Sequence, residues 1–132
     1  VIGVMLPTVP LYVGSRRQAP AARLQSAGVP LALATDFNPG TSPVDSMGIV
    51  VALACLQMHM SPAAALVAAT RNAAYAVGRG DRIGTLEVGK QADLQIYAVD
   101  DYAELPYKFG MQQPAVVIKA GRVVVEDGIV VS

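Results

Sequence analysis

Cysteine occurs once in this 132-residue chain, at Cys55, which excludes an internal disulfide. Charge is scarce as well: ten basic and ten acidic residues cancel, and charged residues make up 15% of the chain against 53% hydrophobic. A disordered chain is excluded by that composition. With no net charge there is no broad attraction for nucleic acid or anionic lipid, so neither is an expected partner. The longest apolar stretch, Met47 to Leu56, contains Gly48 and reaches about half of the roughly 20 residues that a bilayer span needs. It predicts a buried helix rather than an anchor. No fixed-period repeat is present, which excludes a solenoid. A basic-then-apolar leader is missing too, and the expectation is a cytoplasmic protein. The chain opens on Val1, inside an apolar run, as a segment of something longer would.

What is present divides into two parts. Val1 to Leu6 suits a strand leading into an irregular loop at Pro7 and Pro10. Pro20 to Ala27 reads as a short helix ended by Gly28, and Pro30 to Thr35 as a strand covered on both faces, the habit of parallel sheets. The result is a βαβ unit followed by a loop, Asp36 to Pro43. Val44 to His59 predicts a helix apolar nearly all round, and Ser61 with Pro62 starts another that ends near Gly78. Beyond it, glycines punctuate short β-rich runs at Ala92 to Val99, Val116 to Lys119, Arg122 to Glu126 and Ile129 to Val131, with a tight hairpin expected at Gly121-Arg122. Residues 1–80 are thus expected to form an α/β unit and 81–132 a small β unit.

Two parallel strands and a helix do not close a core. Each large side chain such as Leu31 or Leu33 left in water would cost roughly 1.5–3 kcal/mol, against a domain stability of about 5–15 kcal/mol. Further polypeptide is therefore expected to cover the first 78 residues.

The chemistry concentrates in Thr35-Asp36-Phe37-Asn38-Pro39-Gly40-Thr41-Ser42-Pro43. A carboxylate where a buried parallel strand ends occupies the rim on which α/β barrels build active sites. Asp36 there could bind a metal or take a proton from water; it could equally cap the loop by bonding backbone amides. Asn38 offers a donor and an acceptor, Gly40 permits close backbone approach, and Thr41 and Ser42 add hydroxyls. Each alone is also an ordinary turn former.

This loop resembles the signature of the imidazolonepropionase family, metal-dependent amidohydrolases of histidine degradation, and Gly28 to Ala34 is similar to that family's last barrel strand. Thr70-Arg71-Asn72-Ala73-Ala74 and Ile83 to Leu94 resemble two segments common to amidohydrolases in general. The resemblance implies the last strands and helices of a (β/α)8 barrel followed by part of a small β-sandwich. It implies hydrolysis of the cyclic amide of 4-imidazolone-5-propanoate to N-formimidoyl-L-glutamate with one zinc or iron ion, in a homodimer. Carried over by residue, Asp36 becomes a catalytic residue and metal ligand, and Asn38, Gly40 and Thr41 become substrate-binding. Asn72, Gly84, Gly89, Ala92 and Asp93 become structural.

One departure stands against this pattern. The family draws its other ligands from a His-x-His pair and further histidines, whereas this chain holds a single histidine, His59, in the apolar helix and at no family position. Such sites need about three protein ligands, so the chain alone is expected to be inactive and to work with polypeptide that precedes it. His59 is expected to serve the helix or its buried surface, Cys55 to be a small core side chain, Arg16 and Arg17 to be solvated, and Tyr97, Tyr102 and Tyr107 to pack within the β part. Two other functions compete: an amidohydrolase acting on another cyclic amide or amino-heterocycle, and a non-catalytic interaction module in which Asp36 only forms a turn.

Overall fold

A computed structural model of the chain describes residues 1–111 and 113–131; Gln112 and Ser132, both within the expected β unit, lie outside the described residues. Strand β1 (Gly3–Met5) pairs in parallel with β2 (Leu31–Leu33), Gly3 opposite Leu31 and Met5 opposite Leu33. Two short helices, α1 (Thr8–Tyr12) and α2 (Ala21–Ser26), join them. The expected βαβ unit is therefore present, with one addition. Pro7 and Pro10 do not hold the segment after β1 irregular. Pro7 is the N-cap of α1 and Pro10 lies in its first turn, where backbone N–H groups have no helical partner to lose.

Helix α3 (Met47–Met58) starts at Ser46, whose hydroxyl accepts from the Ile49 N–H, and ends at His59 in the left-handed conformation. Helix α4 (Pro62–Val67) is capped by Ser61, which accepts from Ala64 N–H at 3.2 Å. It runs on through a wider π turn (Ala68–Asn72) into α5 (Ala73–Ala76). Leu31 and Leu33 face these helices and share a core with Met5, Val50, Val51, Ala54, Met58, Ala65 and Ala68. The following helices therefore cover one side of the strands. The all-round apolar character of α3 is only partly used, because Leu56 remains 63% exposed.

The last third is a four-stranded antiparallel sheet in sequence order: β3 (Leu94–Ile96), β4 (Val116–Lys119), β5 (Arg122–Glu126) and β6 (Ile129–Val130). The hairpin expected at Gly121-Arg122 turns one residue earlier. Ala120 and Gly121 carry the positive φ angles of 50° and 80°, and Arg122 already pairs with Lys119. Two successive positive φ angles match the right-handed twist of the flanking strands. Between β3 and β4 the chain forms α6 (Glu104–Tyr107), which packs on α3, so this part is not purely β. Pro106 in its first turn concealed it, as Pro10 concealed α1.

Candidate active site

Asp36 follows β2 by three residues and lies beyond the carboxyl ends of both parallel strands. Its side chain is exposed and its backbone takes φ +51°. Asn38, Gly40 and Thr41 share the same loop. The Asn38 side-chain oxygen Oδ1 accepts from the N–H groups of Gly40 (2.9 Å) and Thr41 (2.8 Å), while its side-chain nitrogen Nδ2 donates to the Asp36 backbone carbonyl oxygen. That nitrogen also lies 3.3 Å from Asp36 Oδ2 and 3.2 Å from Thr41 Oγ1. Across the loop neck, Asn38 N–H donates to Ser42 O at 2.9 Å. The loop thus brings the four predicted residues together, with both polar ends of the Asn38 side chain engaged inside it. A ligand that uses Asn38 must replace some of those bonds.

Beneath the loop the Ser42 hydroxyl, one of the loop hydroxyls legible in the sequence, joins a buried partner that was not, Thr8. Thr8 Oγ1 is 3.0 Å and Ser42 Oγ 2.7 Å from the Thr35 carbonyl oxygen, and the two hydroxyls are 2.8 Å apart. Thr8 is 1% and Ser42 0% exposed. Thr8 carries no local signal in the sequence, because its partners are 27 and 34 residues away.

Among the described residues no three His, Cys, Asp or Glu side chains converge on a point that could hold a metal ion. Asp36 could supply one carboxylate and nothing beside it supplies the rest, so these residues alone do not make a metal site. His59 is exposed at the end of α3 rather than buried in it, because it forms the left-handed cap. Cys55 is partly buried against the core, and burial pushes its thiol pKa up, the opposite of what a nucleophile needs. Arg16 and Arg17 are exposed. Of the tyrosines only Tyr97 is partly buried, its hydroxyl donating to Gln95 and its pKa raised by burial. Tyr102 and Tyr107 are 55% and 84% exposed and do not pack into the sheet, since both belong to the α6 excursion.

Three of the residues expected to be structural, Asn72, Gly84 and Asp93, make specific contacts. Asn72 donates to the Leu31 carbonyl oxygen at 2.7 Å, joining the π turn to β2. Asp93 accepts from Gln91 and Lys119 and from the Ala120 N–H, and these three donors lower its pKa to about 2. Gly84 sits against the helix with φ +95°, where a Cβ would lie 2.5 Å from that of Ala74.

The amidohydrolase family model matches residues 5–125. Over 128 residues the chain is 52% identical to an imidazolonepropionase from Geobacillus kaustophilus, covering 97% of this chain and 30% of that protein. It is 48% identical over 122 residues to the imidazolonepropionase of Aromatoleum aromaticum, again 30% of that protein. The chain therefore spans about a third of the length of the relatives it matches. Among solved structures, a zinc-bound adenosine deaminase from Xanthomonas campestris superimposes with a TM-score of 0.85 at 30% identity, over 98% of this chain and 33% of the other. A zinc-complexed atrazine chlorohydrolase variant from Arthrobacter aurescens gives 0.81 at 24%, over 99% and 32%. These likenesses place the chain as a mixed α/β segment matching about a third of such structures, and no described helix is long and apolar enough to cross a membrane.

Proposed function

The chain belongs to the amidohydrolase family, and on that premise we propose that it is the carboxy-terminal part of an imidazolonepropionase, hydrolysing 4-imidazolone-5-propanoate to N-formimidoyl-L-glutamate. The observation that carries this reading is the Asp36-to-Thr41 loop at the carboxyl ends of two parallel strands. In that reading residues 1–80 are the end of a (β/α)8 barrel, and 81–132 are part of a small β-sandwich. Among the described residues β1 and β2 pair only with each other, which leaves both outer edges for barrel strands from preceding polypeptide.

Asp36 would be one ligand of a zinc or iron ion whose other ligands that polypeptide would supply. Such an ion, when bound, lowers the pKa of a water and polarises the ring carbonyl. The Asp36 carboxylate accepts the proton of the attacking water and returns it to the ring nitrogen as the carbon–nitrogen bond breaks. Asn38, Gly40 and Thr41 bind the substrate's propanoate with uncharged donors, exchanging bonds now made within the loop. Two complete chains would associate as a homodimer.

The test is the full-length product of the gene that encodes this chain, assayed spectrophotometrically for loss of imidazolonepropanoate. Turnover is expected. Asp36→Asn should lower bound metal and reduce the rate by about a hundredfold or more; full metal content with an unchanged rate would overturn its role. The likeness to an adenosine deaminase favours a second reading, deamination of an amino-heterocycle. Ammonia release from such a compound, with no loss of imidazolonepropanoate, would select it.

A further inference from the structure

We propose that Thr8 and Ser42 are positioning residues for Asp36, a buried hydroxyl clamp bracing the end of β1 against the loop after β2. The inference rests on the active-site reading of that loop. Thr35 O belongs to the peptide group that enters Asp36, so its direction fixes the plane about which φ of Asp36 is measured. That φ is +51°, a region where a non-glycine backbone is strained and stays only when its surroundings hold it. Both hydroxyls reach this one oxygen, at 3.0 and 2.7 Å, and lie 2.8 Å from each other. Two hydroxyl protons can make two of the three contacts at once, which still leaves every oxygen engaged.

Packing alone does not require hydroxyls here. Valine has the shape of threonine and would fill the Thr8 site without the cost of a buried polar group. What the hydroxyl adds is direction. Thr8 opens α1 just beyond β1, so its bond carries the register of the parallel pair into the loop. Ser42 is held in addition by its own carbonyl, which accepts from Asn38 N–H. Thr8 is therefore the more critical member.

The experiment uses Thr8→Val, Ser42→Ala and Thr8→Ser in the full-length gene product, with kcat, KM, thermal midpoint and hydrogen exchange of the amides from Asp36 to Thr41 as readouts. Thr8→Val should lower kcat by about 10- to 100-fold, since a small misplacement of a reacting group has effects of that size, with a smaller change in KM. Loop exchange should quicken while exchange in β4 and β5 stays unchanged. Thr8→Ser should restore both rate and protection, and Ser42→Ala should show the same changes more weakly. Unchanged kcat and loop exchange in Thr8→Val would overturn the clamp, as would a loss that Thr8→Ser does not restore. If the unaltered product does not turn over imidazolonepropanoate, the functional reading fails and loop exchange alone decides the clamp. If Thr8→Val does not fold, Ser42→Ala decides it: faster loop exchange supports the clamp and unchanged exchange overturns it.

Discussion

Between Met5 and Ala74 the apolar side chains that meet around Val50 are almost fully covered, whereas no residue of β3 to β6 is buried and Ile96, Val123, Ile129 and Val130 remain 45–74% exposed. The first region excludes water with its own side chains: helix α3 and the helix begun at Pro62 close over β2. The second is shaped by turns and polar ties. Its hairpins turn on Ala120-Gly121 and Asp127-Gly128 with positive φ, and Asp93 holds Lys119 and the Ala120 N–H at the first of them. In the segment that precedes β3, Lys90, its side chain only 11% exposed, donates to Gly80 O and Thr85 Oγ1. A region built by burial loses stability when volume is removed. A region built by turns and polar ties is sensitive instead to backbone geometry and to pH.

That contrast sets three expectations. Leu33→Ala, which empties a site 2% exposed, should reduce the unfolding free energy by roughly 2–5 kcal/mol; a loss near zero in denaturant titration would show that this core is not closed. Gly84→Ala tests the seam between the regions, because its Cβ would meet Ala74 Cβ at 2.5 Å and Thr70 O at 3.0 Å at a φ that side chains avoid. About 1–3 kcal/mol of destabilisation is expected from overpacking, read as a lower thermal midpoint; an unchanged midpoint would mean that the loop is free to move away. The smallest effect is electrostatic. Gln91, Lys119 and Ala120 lower the Asp93 pKa from the usual 3.8 to about 2, so its stabilising contribution is complete above the unfolded value and is lost as pH falls through the folded one. Protection of the β4–β5 amides from hydrogen exchange should hold from neutral pH to about 4 and decline from there towards 2, and Asp93→Asn should flatten that decline. An identical profile in the variant would remove Asp93 as its cause.

Elements with strong local patterns were legible in the sequence. Ser46 lies inside the segment predicted as the first long helix and Ser61 was named as the start of the second; both cap as serine should. The parallel pair lies within the two strand predictions, and Asp36 lies just beyond it. Helices α1 and α6 were not legible, because proline in a first turn resembles proline in a loop unless the chain beyond it is known to coil. The same limit applies to side chains whose meaning is a partner. Tyr102 and Tyr107 are exposed although tyrosine is a common core residue.

Residue order alone determined that this chain would fold as an α/β segment followed by short antiparallel strands, and that Asp36, Asn38, Gly40 and Thr41 would share one loop after the second parallel strand. Those features follow from periodicity, capping and turn residues, which act over a few positions. Only the tertiary structure decided that Thr8 and Ser42 would meet at Thr35 O, that Asn72 would reach Leu31, and that Gly84 would press against Ala74. Each of these contacts joins residues that are distant or unpatterned in sequence, and a hydrogen bond or steric contact exists only once packing has brought its two ends together.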